Sequence, residues 1–231
     1  MKAPTFITFE GGEGSGKSTQ VKILANRLSS LCIKVIPTRE PGGSILSERL
    51  RSLILDPAMK DHSVLTEALL FSAARSDHLD QIIRPALKQG HTVICDRFSD
   101  STRVYQGYAG NLDFQVLKTL ECIVLGPTVP DLTIIIDLPA HVGLERAKKR
   151  NADKVSGVQK TNDILRLETN VVADQFERRD IAYHEKLRQG YIHIARQEPE
   201  RCVIIDGMED VEEVACAIWS VVEKRLLESK Q

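Results

Sequence analysis

Residues 11–18 of this chain read Gly-Gly-Glu-Gly-Ser-Gly-Lys-Ser, a complete G-x-x-x-x-G-K-[ST] motif. An apolar run at 6–9 precedes the motif, and a helical pattern at 21–28 follows it. This order of strand, glycine-rich loop and helix is the context in which the motif forms a phosphate-binding loop. Inward-facing backbone N–H groups and the positive end of the helix dipole then surround phosphate oxygens. The motif therefore predicts a domain that binds a nucleoside triphosphate.

The polar residues of the loop have separate predicted roles. Lys17 is expected to reach the β- and γ-phosphates, and the hydroxyl of Ser18 is expected to ligate Mg²⁺. The residues predicted to contact the triphosphate are those of the loop and the start of its helix: Gly11, Gly12, Glu13, Gly14, Ser15, Gly16, Lys17, Ser18 and Thr19.

Short apolar runs alternate with helical patterns along the chain. The runs lie at 5–9, 35–38, 92–95, 132–137 and 202–205, and the clearest helical patterns lie at 17–30, 66–89, 140–150, 173–195 and 210–228. Several runs are continuously apolar, which is typical of strands buried on both faces. Strands separated by helices imply right-handed crossovers and a parallel sheet. The sequence predicts an α/β fold of the three-layer P-loop type, with a five-stranded parallel sheet, helices on both faces and a single domain over 1–231.

Composition limits the partners and the cellular location that we expect for such a domain. The formal net charge of −1 gives no strong field toward nucleic acid or membrane surfaces, so neither is an expected partner. No apolar stretch approaches the roughly 20 residues that span a bilayer, and no signal peptide precedes the first strand. The five cysteines include no C-x-x-C pair, which indicates free thiols in a reducing compartment. We expect a cytoplasmic protein without a structural metal site.

Two further segments carry groups suited to an anionic substrate. Asp96 and Arg97 end a buried run, where ligands of open α/β sheets bind. Asp96 could hold Mg²⁺ through water or accept a proton, and Arg97 could clamp an acceptor phosphate; a simple ion pair at the strand end is the alternative. Arg39 emerges at the same edge, before a Pro-Gly-Gly turn.

A third segment has the composition of a base-binding surface. Phe71 and Arg75 are four residues apart in a helical pattern and so share one face. An aromatic ring beside a planar set of donors suits stacking and hydrogen bonding to a nucleobase. Taken alone, Phe71 would more often be a core residue and Arg75 a solvated one.

Residues 146–172 approximately form an unusual stretch that is first basic and then polar. It begins with Arg-Ala-Lys-Lys-Arg at 146–150 and continues through Ser-Gly and Lys-Thr-Asn. Most such segments are solvated loops. In a phosphate-binding protein we favour a mobile lid whose cations close over the phosphates.

Four motifs occur in an order and spacing that resemble one family. They are the P-loop segment 9–19, Thr-Arg-Glu-Pro-Gly-Gly at 38–43, the segment 71–75, and the block at 96–107 that runs from Asp-Arg-Phe to Tyr-Gln-Gly. Together they resemble thymidylate kinase over essentially the whole chain. The resemblance implies transfer of the γ-phosphoryl group of ATP to dTMP with Mg²⁺, a step of dTTP biosynthesis, by a homodimer.

The resemblance also assigns roles at matching positions. Glu13 would contact the 3′-hydroxyl of deoxyribose, and Asp96 would organise Mg²⁺ and the acceptor. The remaining residues implied to bind dTMP are Arg39 and Arg97 for the phosphate, Arg51 as a weaker candidate, Phe71 for stacking, Arg75 for O4, and Thr102 and Gln106 for the rest of the thymine or the sugar.

Departures from the family pattern bear on the catalytic cation. One branch carries an arginine at the position of Ser15, so this chain resembles the branch whose arginine comes from the lid. Arg150 is then the first candidate, beside Lys17, Asp96 and Arg97 as catalytic residues. After the lid, Gln175 stands where arginine is common, and Arg103 has no role that the sequence explains.

Two other functions are consistent with the P-loop. Another nucleoside-monophosphate or deoxynucleoside kinase would differ in its acceptor, and Arg39 and Arg97 favour an acceptor that already carries a phosphate. A nucleotide-dependent switch would use the triphosphate to control partner binding. A GTPase would be expected to carry Asn-Lys-x-Asp, which this chain lacks.

Overall fold

The sheet has the predicted parallel arrangement. The computed structural model describes residues 5–56, 62–158, 176 and 179–228. Its strands are β1 Phe6–Glu10, β2 Val35–Arg39, β3 Thr92–Asp96, β4 Leu132–Asp137 and β5 Cys202–Asp206. They pair in the order β2-β3-β1-β4-β5, and every pair is parallel. The predicted five-stranded parallel sheet is confirmed.

Helices connect the strands and cover the sheet. They are α1 Lys17–Ser30, α2 Ile45–Leu55, α3 Val64–His78, α4 Arg84–Lys88, α5 Ser99–Thr102, α6 Phe114–Leu125, α7 Ala140–Val158, α8 Ile181–Gln197 and α9 Val211–Val222. Wide π-helical turns extend α3, α5 and α9 over Leu79–Ile83, Arg103–Ala109 and Glu223–Glu228. In the described part of the chain, no helix is both long and apolar enough to cross a bilayer.

The core lies on both faces of the sheet because strand side chains alternate in direction. Ile134 and Ile136 of β4 pack in a cluster with α1 and α9, whereas Ile135 between them packs in a cluster with α8 and the turn after α5. The outer half of the sheet has its own cluster, formed by β3, α4 and the turn after α3. The predicted helices on both faces are therefore confirmed.

Several helix boundaries differ from the prediction. Helix α7 continues to Val158, not to residue 150, so residues 146–158 of the proposed lid are helical and 159–172 lie outside the described residues. Helix α8 begins at Ile181 rather than at residue 173, because the Asp180 side chain accepts a hydrogen bond from the Tyr183 N–H at 2.8 Å and caps the helix there. Helices α2 and α6 were not predicted.

The sheet brings the motif residues to one edge. Asp96 at the end of β3 lies opposite Phe9 of β1 and Arg39 of β2 in the strand register. The P-loop follows β1 directly. The P-loop, the Arg39 turn and the Asp96–Arg97 corner therefore meet at the carboxyl ends of three neighbouring strands, where ligands of open α/β sheets bind.

Candidate active site

A cavity of about 540 Å³ opens at this edge of the sheet. The residues that were predicted from the sequence and that line it are Glu13, Gly14, Ser15, Gly16, Lys17, Ser18, Thr19, Arg39, Arg51, Phe71, Arg75, Asp96, Arg97, Thr102, Gln106 and Arg150. Of the predicted set, Gly11 and Gly12 do not line the cavity. Segments far apart in the chain thus form one continuous surface.

The P-loop is tightly packed against the sheet and α7. Gly11 has a φ of 136°, and a Cβ there would lie 2.4 Å from the Ile136 carbonyl oxygen. A Cβ on Gly14 would lie 2.0 Å from the Gly143 carbonyl oxygen. Glycine is required at both positions because no side chain fits, so this loop can follow the compact path that a phosphate cradle needs.

Lys17 is held over the loop. Its Nζ donates to the carbonyl oxygens of Gly11 at 3.1 Å and Gly12 at 2.7 Å, and to Ser15 Oγ at 3.2 Å. Gly11 and Gly12 therefore contribute through their backbone. Burial lowers the pKa of Lys17 to about 8, and the positive charge of Arg97 acts in the same direction. The ammonium is poorly hydrated, which strengthens its attraction to phosphate.

Ser18 at the start of α1 and Asp96 at the end of β3 place two potential metal-ligating oxygen atoms side by side. Ser18 Oγ donates a hydrogen bond to Asp96 Oδ2. A hydroxyl and a carboxylate in contact are suitable ligands for Mg²⁺, which is bound in such sites through few protein oxygens together with water and phosphate. The residues present therefore fit the predicted metal.

Arg97 lies between the P-loop and α8. Its backbone adopts a φ of 67°, an uncommon conformation for a residue with a side chain. Nη2 forms an ion pair with Glu13 Oε1 at 2.6 Å, and Nη1 donates to the Gly11 carbonyl oxygen at 3.2 Å. Among the described residues, Arg97 forms its ion pair with Glu13 and not with the neighbouring Asp96, which was the alternative at this strand end.

Glu13 is a strongly polarised carboxylate. Burial by itself would raise its pKa, but the charges of Arg97 and Lys17 and a hydrogen bond from the Tyr105 hydroxyl at 2.8 Å lower the pKa of Glu13 to about 2. Glu13 therefore stays ionised at neutral pH. Its negative charge lies beside two cations, Arg97 and Lys17, which both also donate to the Gly11 carbonyl oxygen.

Aromatic and aliphatic side chains form one wall of the cavity. The rings of Phe71 and Phe176 are 6.1 Å apart, and Tyr105 meets Phe176 edge-on at 5.6 Å. Leu55 lines the same wall. Phe71 is thus at the cavity surface, as the base-stacking prediction requires.

Arg75 is buried and fixed in direction. Its Nε donates to Glu40 Oε2 at 2.7 Å, and its Nη2 donates to the Phe98 carbonyl oxygen at 3.0 Å and Thr102 Oγ1 at 3.1 Å. The second oxygen of Glu40 lies 3.0 Å from His78 Nδ1. Sequence reasoning missed Glu40 and His78 as supports of Arg75. His78 follows Arg75 by three residues, a spacing that places both on one helix face.

The other predicted acceptor residues also have protein partners. Arg39 Nη2 is bound by both carboxylate oxygens of Glu48, at 3.0 and 2.9 Å, and this pair is half exposed. Arg51 Nη1 donates to the Pro41 carbonyl oxygen at 2.9 Å. Gln106 Nε2 donates to Glu67 Oε2 at 3.1 Å.

Helix α7 separates the two arginines of its basic cluster. Arg146 Nη1 donates to the Gly207 carbonyl oxygen at 2.9 Å, after β5. Arg150 lines the main cavity and also an open hollow beside it. Position therefore favours Arg150 over Arg146 as the cation that faces the phosphates. Gln175 lies outside the described residues.

Arg103, whose role the sequence does not explain, links three segments through ion pairs. Its Nε and Nη2 donate to the two carboxylate oxygens of Glu121 in α6 at 2.6 and 2.7 Å, and its Nη1 donates to Glu198 after α8 at 2.6 Å. Because these partners are distant in sequence, no local pattern could have identified them. Arg103 thus anchors the turn that carries Tyr105 and Gln106.

Sequence reasoning also missed Glu10, which is buried at the end of β1. Its carboxylate accepts hydrogen bonds from the Phe98 N–H at 2.8 Å and from Ser101 Oγ at 2.6 Å. Burial and the nearby carboxylate of Asp100 nevertheless raise the pKa of Glu10 from 4.5 to about 7; the hydrogen bonds and Arg97 oppose this shift.

The raised pKa of Glu10 predicts how stability depends on pH. Since the folded chain binds this proton more tightly than the unfolded chain does, Glu10 makes the free energy of unfolding fall as pH rises between 4.5 and 7. The difference in unfolding free energy between the unmodified protein and Glu10→Gln should fall by about 2 kcal/mol from pH 5 to pH 7.5. Urea denaturation across that range measures it. A difference that is constant with pH would contradict the assignment.

A P-loop that lines one cavity together with a second group of cations is the arrangement of P-loop phosphotransferases, in which donor and acceptor phosphates must meet. The fold and the site together define this class of enzyme for the chain.

Comparison with known proteins gives the family. The thymidylate kinase family model matches residues 9–218. Thymidylate kinases of Nitrobacter winogradskyi and Caulobacter vibrioides are each 48% identical to this chain over 96% of its length, covering 89% and 97% of those proteins. The crystal structure of thymidylate kinase from Ehrlichia chaffeensis superposes with a TM-score of 0.72 at 33% identity, covering 96% of this chain and 99% of that one. The chain belongs to the thymidylate kinase family, as its motifs predicted.

Proposed function

We propose that this chain transfers the γ-phosphoryl group of ATP to dTMP and forms dTDP, as a single-domain cytoplasmic enzyme that supplies dTTP synthesis. The observation that carries the proposal is membership of the thymidylate kinase family over residues 9–218. The cavity supports it, since a P-loop, a cationic wall and an aromatic wall line one space.

The reaction requires mainly positioning and charge compensation, because phosphoryl transfer involves little covalent chemistry by the protein. Lys17 and the P-loop N–H groups hold the β- and γ-phosphates. Arg97 holds the acceptor phosphate, with Arg39 and Arg51 on the same side. Arg150 approaches the transferred group, where negative charge builds up in the transition state.

The wall that carries Phe71 is proposed to hold the thymine. Phe71 stacks on the ring, and Arg75 donates to O4. Thr102 and Gln106 lie near the remaining edge of the base or the sugar. Glu13 accepts from the 3′-hydroxyl of the deoxyribose, and its low pKa keeps it an acceptor at neutral pH.

Ser18 and Asp96 are the residues that would hold Mg²⁺. When bound, the ion supplies positive charge to the β- and γ-phosphate oxygens. The Ser18–Asp96 hydrogen bond keeps the two ligand oxygens together at the mouth of the P-loop.

The chain is also proposed to act as a homodimer through the outer surface of α2, α3 and α6. Helix α3 packs between α2 and α6. Large apolar side chains on the flanking helices are exposed, among them Ile45 at 81%, Ile123 at 74% and Phe114 at 66%. A second copy that covers this surface would remove it from water. Light scattering should give a molar mass of twice the 25.8 kDa chain mass. Ile123→Glu should lower the measured molar mass toward that of a single chain.

Coupled ADP release with a panel of acceptors tests the proposed reaction. We expect multiple turnovers with dTMP and none with thymidine, because Arg39 and Arg97 require an acceptor that carries a phosphate. Turnover with nucleosides alone would replace the proposal with a deoxynucleoside kinase. Nucleotide exchange without repeated turnover would favour a switch.

Lys17→Ala should lower kcat with dTMP and ATP by about 10²-fold, because the variant lacks one donor to the phosphates in the transition state. The fold should be retained, because the hydrogen bonds of Lys17 to described residues are made to loop carbonyls and Ser15. The control is Lys34→Ala, which removes the same charge from an exposed position outside the cavity. Equal turnover of the two variants would exclude the P-loop lysine from the reaction.

A further inference from the structure

The Tyr191 hydroxyl lies where an apolar core cluster meets a group of buried polar side chains. Tyr191 lies in α8 and is 1% exposed, within the cluster that includes Val104 and Leu187. A buried hydroxyl without a hydrogen bond would cost folding free energy. That of Tyr191 lies 3.1 Å from Arg97 Nη1, 3.0 Å from Ser101 Oγ and 3.1 Å from Glu10 Oε2.

The roles of these partners follow from their chemistry. The Arg97 guanidinium can only donate, so the Tyr191 oxygen accepts from it. The single proton of Tyr191 is then available to Glu10 Oε2. The Tyr191 hydroxyl of α8 therefore links Arg97, which follows β3, to the carboxylate of Glu10 at the end of β1. Ser101 Oγ lies beside this link, 3.3 Å from Arg97 Nη1 and 2.6 Å from Glu10 Oε2.

The position of Arg97 explains why such a connection is needed. Its backbone has a φ of 67°, so the residue sits on a sharp corner and not on a regular element. Glu13 binds Nη2 on one side of the guanidinium, while Nη1 contacts Tyr191, Ser101 and the Gly11 carbonyl oxygen on the other. These contacts fix the plane of the guanidinium, and that plane decides whether two N–H groups meet a phosphate together.

We propose that Tyr191 is a positioning residue for the acceptor phosphate, and that its hydroxyl holds the Arg97 guanidinium in the orientation that binds it. The inference rests on the proposed function, in which Arg97 contacts the phosphate of dTMP. Tyr191 touches neither substrate and acts through Arg97. A purely structural role would need only the ring, which fills the core equally well in phenylalanine.

Tyr191→Phe removes only the hydroxyl, and two ligands separate the alternatives. Calorimetry should show that dTMP binds about tenfold more weakly to the variant, a loss of ~1.4 kcal/mol. Thymidine, which lacks the phosphate, should bind within twofold of the unmodified protein. Equal weakening of both ligands would mean a general disturbance of the site and would overturn the inference, as would unchanged dTMP binding.

The matched control is Tyr108→Phe. Tyr108 lies on the turn after α5 that packs against α8. It is 47% exposed, and its ring centroid lies 6.0 Å from that of His193. This substitution removes a hydroxyl from the same helix interface without touching Arg97. It should leave the affinity for dTMP, the KM for dTMP and kcat within twofold of the unmodified protein.

A double-mutant cycle tests the route of the effect. In an Arg97→Ala background, Tyr191→Phe should change the KM for dTMP by less than twofold, because the group on which it acts is absent. A tenfold change in that background would overturn the inference. Turnover of dTMP by the unmodified protein tests the proposed function separately. If the unmodified protein phosphorylates dTMP and Tyr191→Phe has the same affinity and turnover, the inference about Tyr191 is wrong and the proposed function stands.

Discussion

Arg150→Ala is expected to lower kcat by about 10³-fold while changing the dissociation constant of ATP by less than a few-fold. Arginines that stabilise the transition state in phosphoryl transfer contribute on this scale, because charge accumulates on the transferred group only as the reaction proceeds. Ser15 in the P-loop carries no charge, and Arg150 lines the cavity from α7. Steady-state kcat and calorimetric ATP binding separate the two effects.

Lys148→Ala is the matched control for Arg150→Ala. It removes a positive charge from an exposed position of the same helix, and Lys148 lines neither the main cavity nor the hollow beside it. Its kcat should stay within twofold of the unmodified protein. Normal turnover by Arg150→Ala would place the catalytic cation elsewhere, and Arg146, Lys149 and Lys154 would then be tested in that order.

The part of the site that the sequence predicted is the part that local chemistry determines. Gly11, Lys17 and Ser18 stand at fixed positions of the motif, so the motif alone locates them in the chain. Asp96 and Arg39 end strands, and parallel strands deliver their carboxyl ends to one edge. These residues were predictable because the motif and the strand ends determine their positions, and contacts with distant side chains do not.

The residues that were missed make contacts across long sequence separations. Tyr191 reaches Arg97 across 94 positions, and Arg103 reaches Glu198 across 95. No period or spacing in the chain encodes such a pair. The same limit applies to Glu10, whose position at the end of an apolar run gave no indication of its four hydrogen-bond contacts.

Helices α2 and α6 escaped prediction for a different reason. Their apolar residues do not all face the core of the described chain: Ile45 of α2 and Ile123 of α6 are mostly exposed. Periodicity indicates a helix when one stripe is apolar and the opposite face is polar. A helix that has apolar residues on both its core face and its outer face blurs that pattern. The exposed apolar residues that mask the periodicity of α2 and α6 belong to the surface that is proposed to bind a second copy of the chain.

The ion pair between Glu13 and Arg97 joins the two halves of the site. Glu13 belongs to the P-loop, which is proposed to hold the triphosphate, and Arg97 belongs to the corner that is proposed to hold the acceptor phosphate. Their contact at 2.6 Å joins the P-loop directly to the corner after β3. A shared, partly buried ion pair is a direct means of keeping donor and acceptor phosphates at a fixed separation, which is the main requirement of phosphoryl transfer.

The proposed contact between Arg75 and the thymine predicts which pyrimidine monophosphates the enzyme accepts best. Glu40 holds Nε, and Phe98 and Thr102 hold Nη2, so the guanidinium cannot turn to suit a different base. Nη1 is the group that we assign to O4 of thymine. Cytosine carries an amino donor at that position, and two donors facing each other leave buried groups without partners.

We therefore expect kcat/KM to be about 10⁴-fold lower for dCMP than for dTMP, the scale on which a polar site rejects a ligand that cannot complete its hydrogen bonds. Uracil keeps the 4-oxo group and lacks only the methyl, which is worth roughly 1–3 kcal/mol, so the kcat/KM for dUMP should fall between those for dTMP and dCMP.

Arg75→Lys keeps a charge beside Glu40 but loses the planar set of donors. It should narrow the gap between dTMP and dCMP mainly by lowering kcat/KM for dTMP. Comparable kcat/KM for dCMP and dTMP with the unmodified protein would show that Arg75 does not read the base.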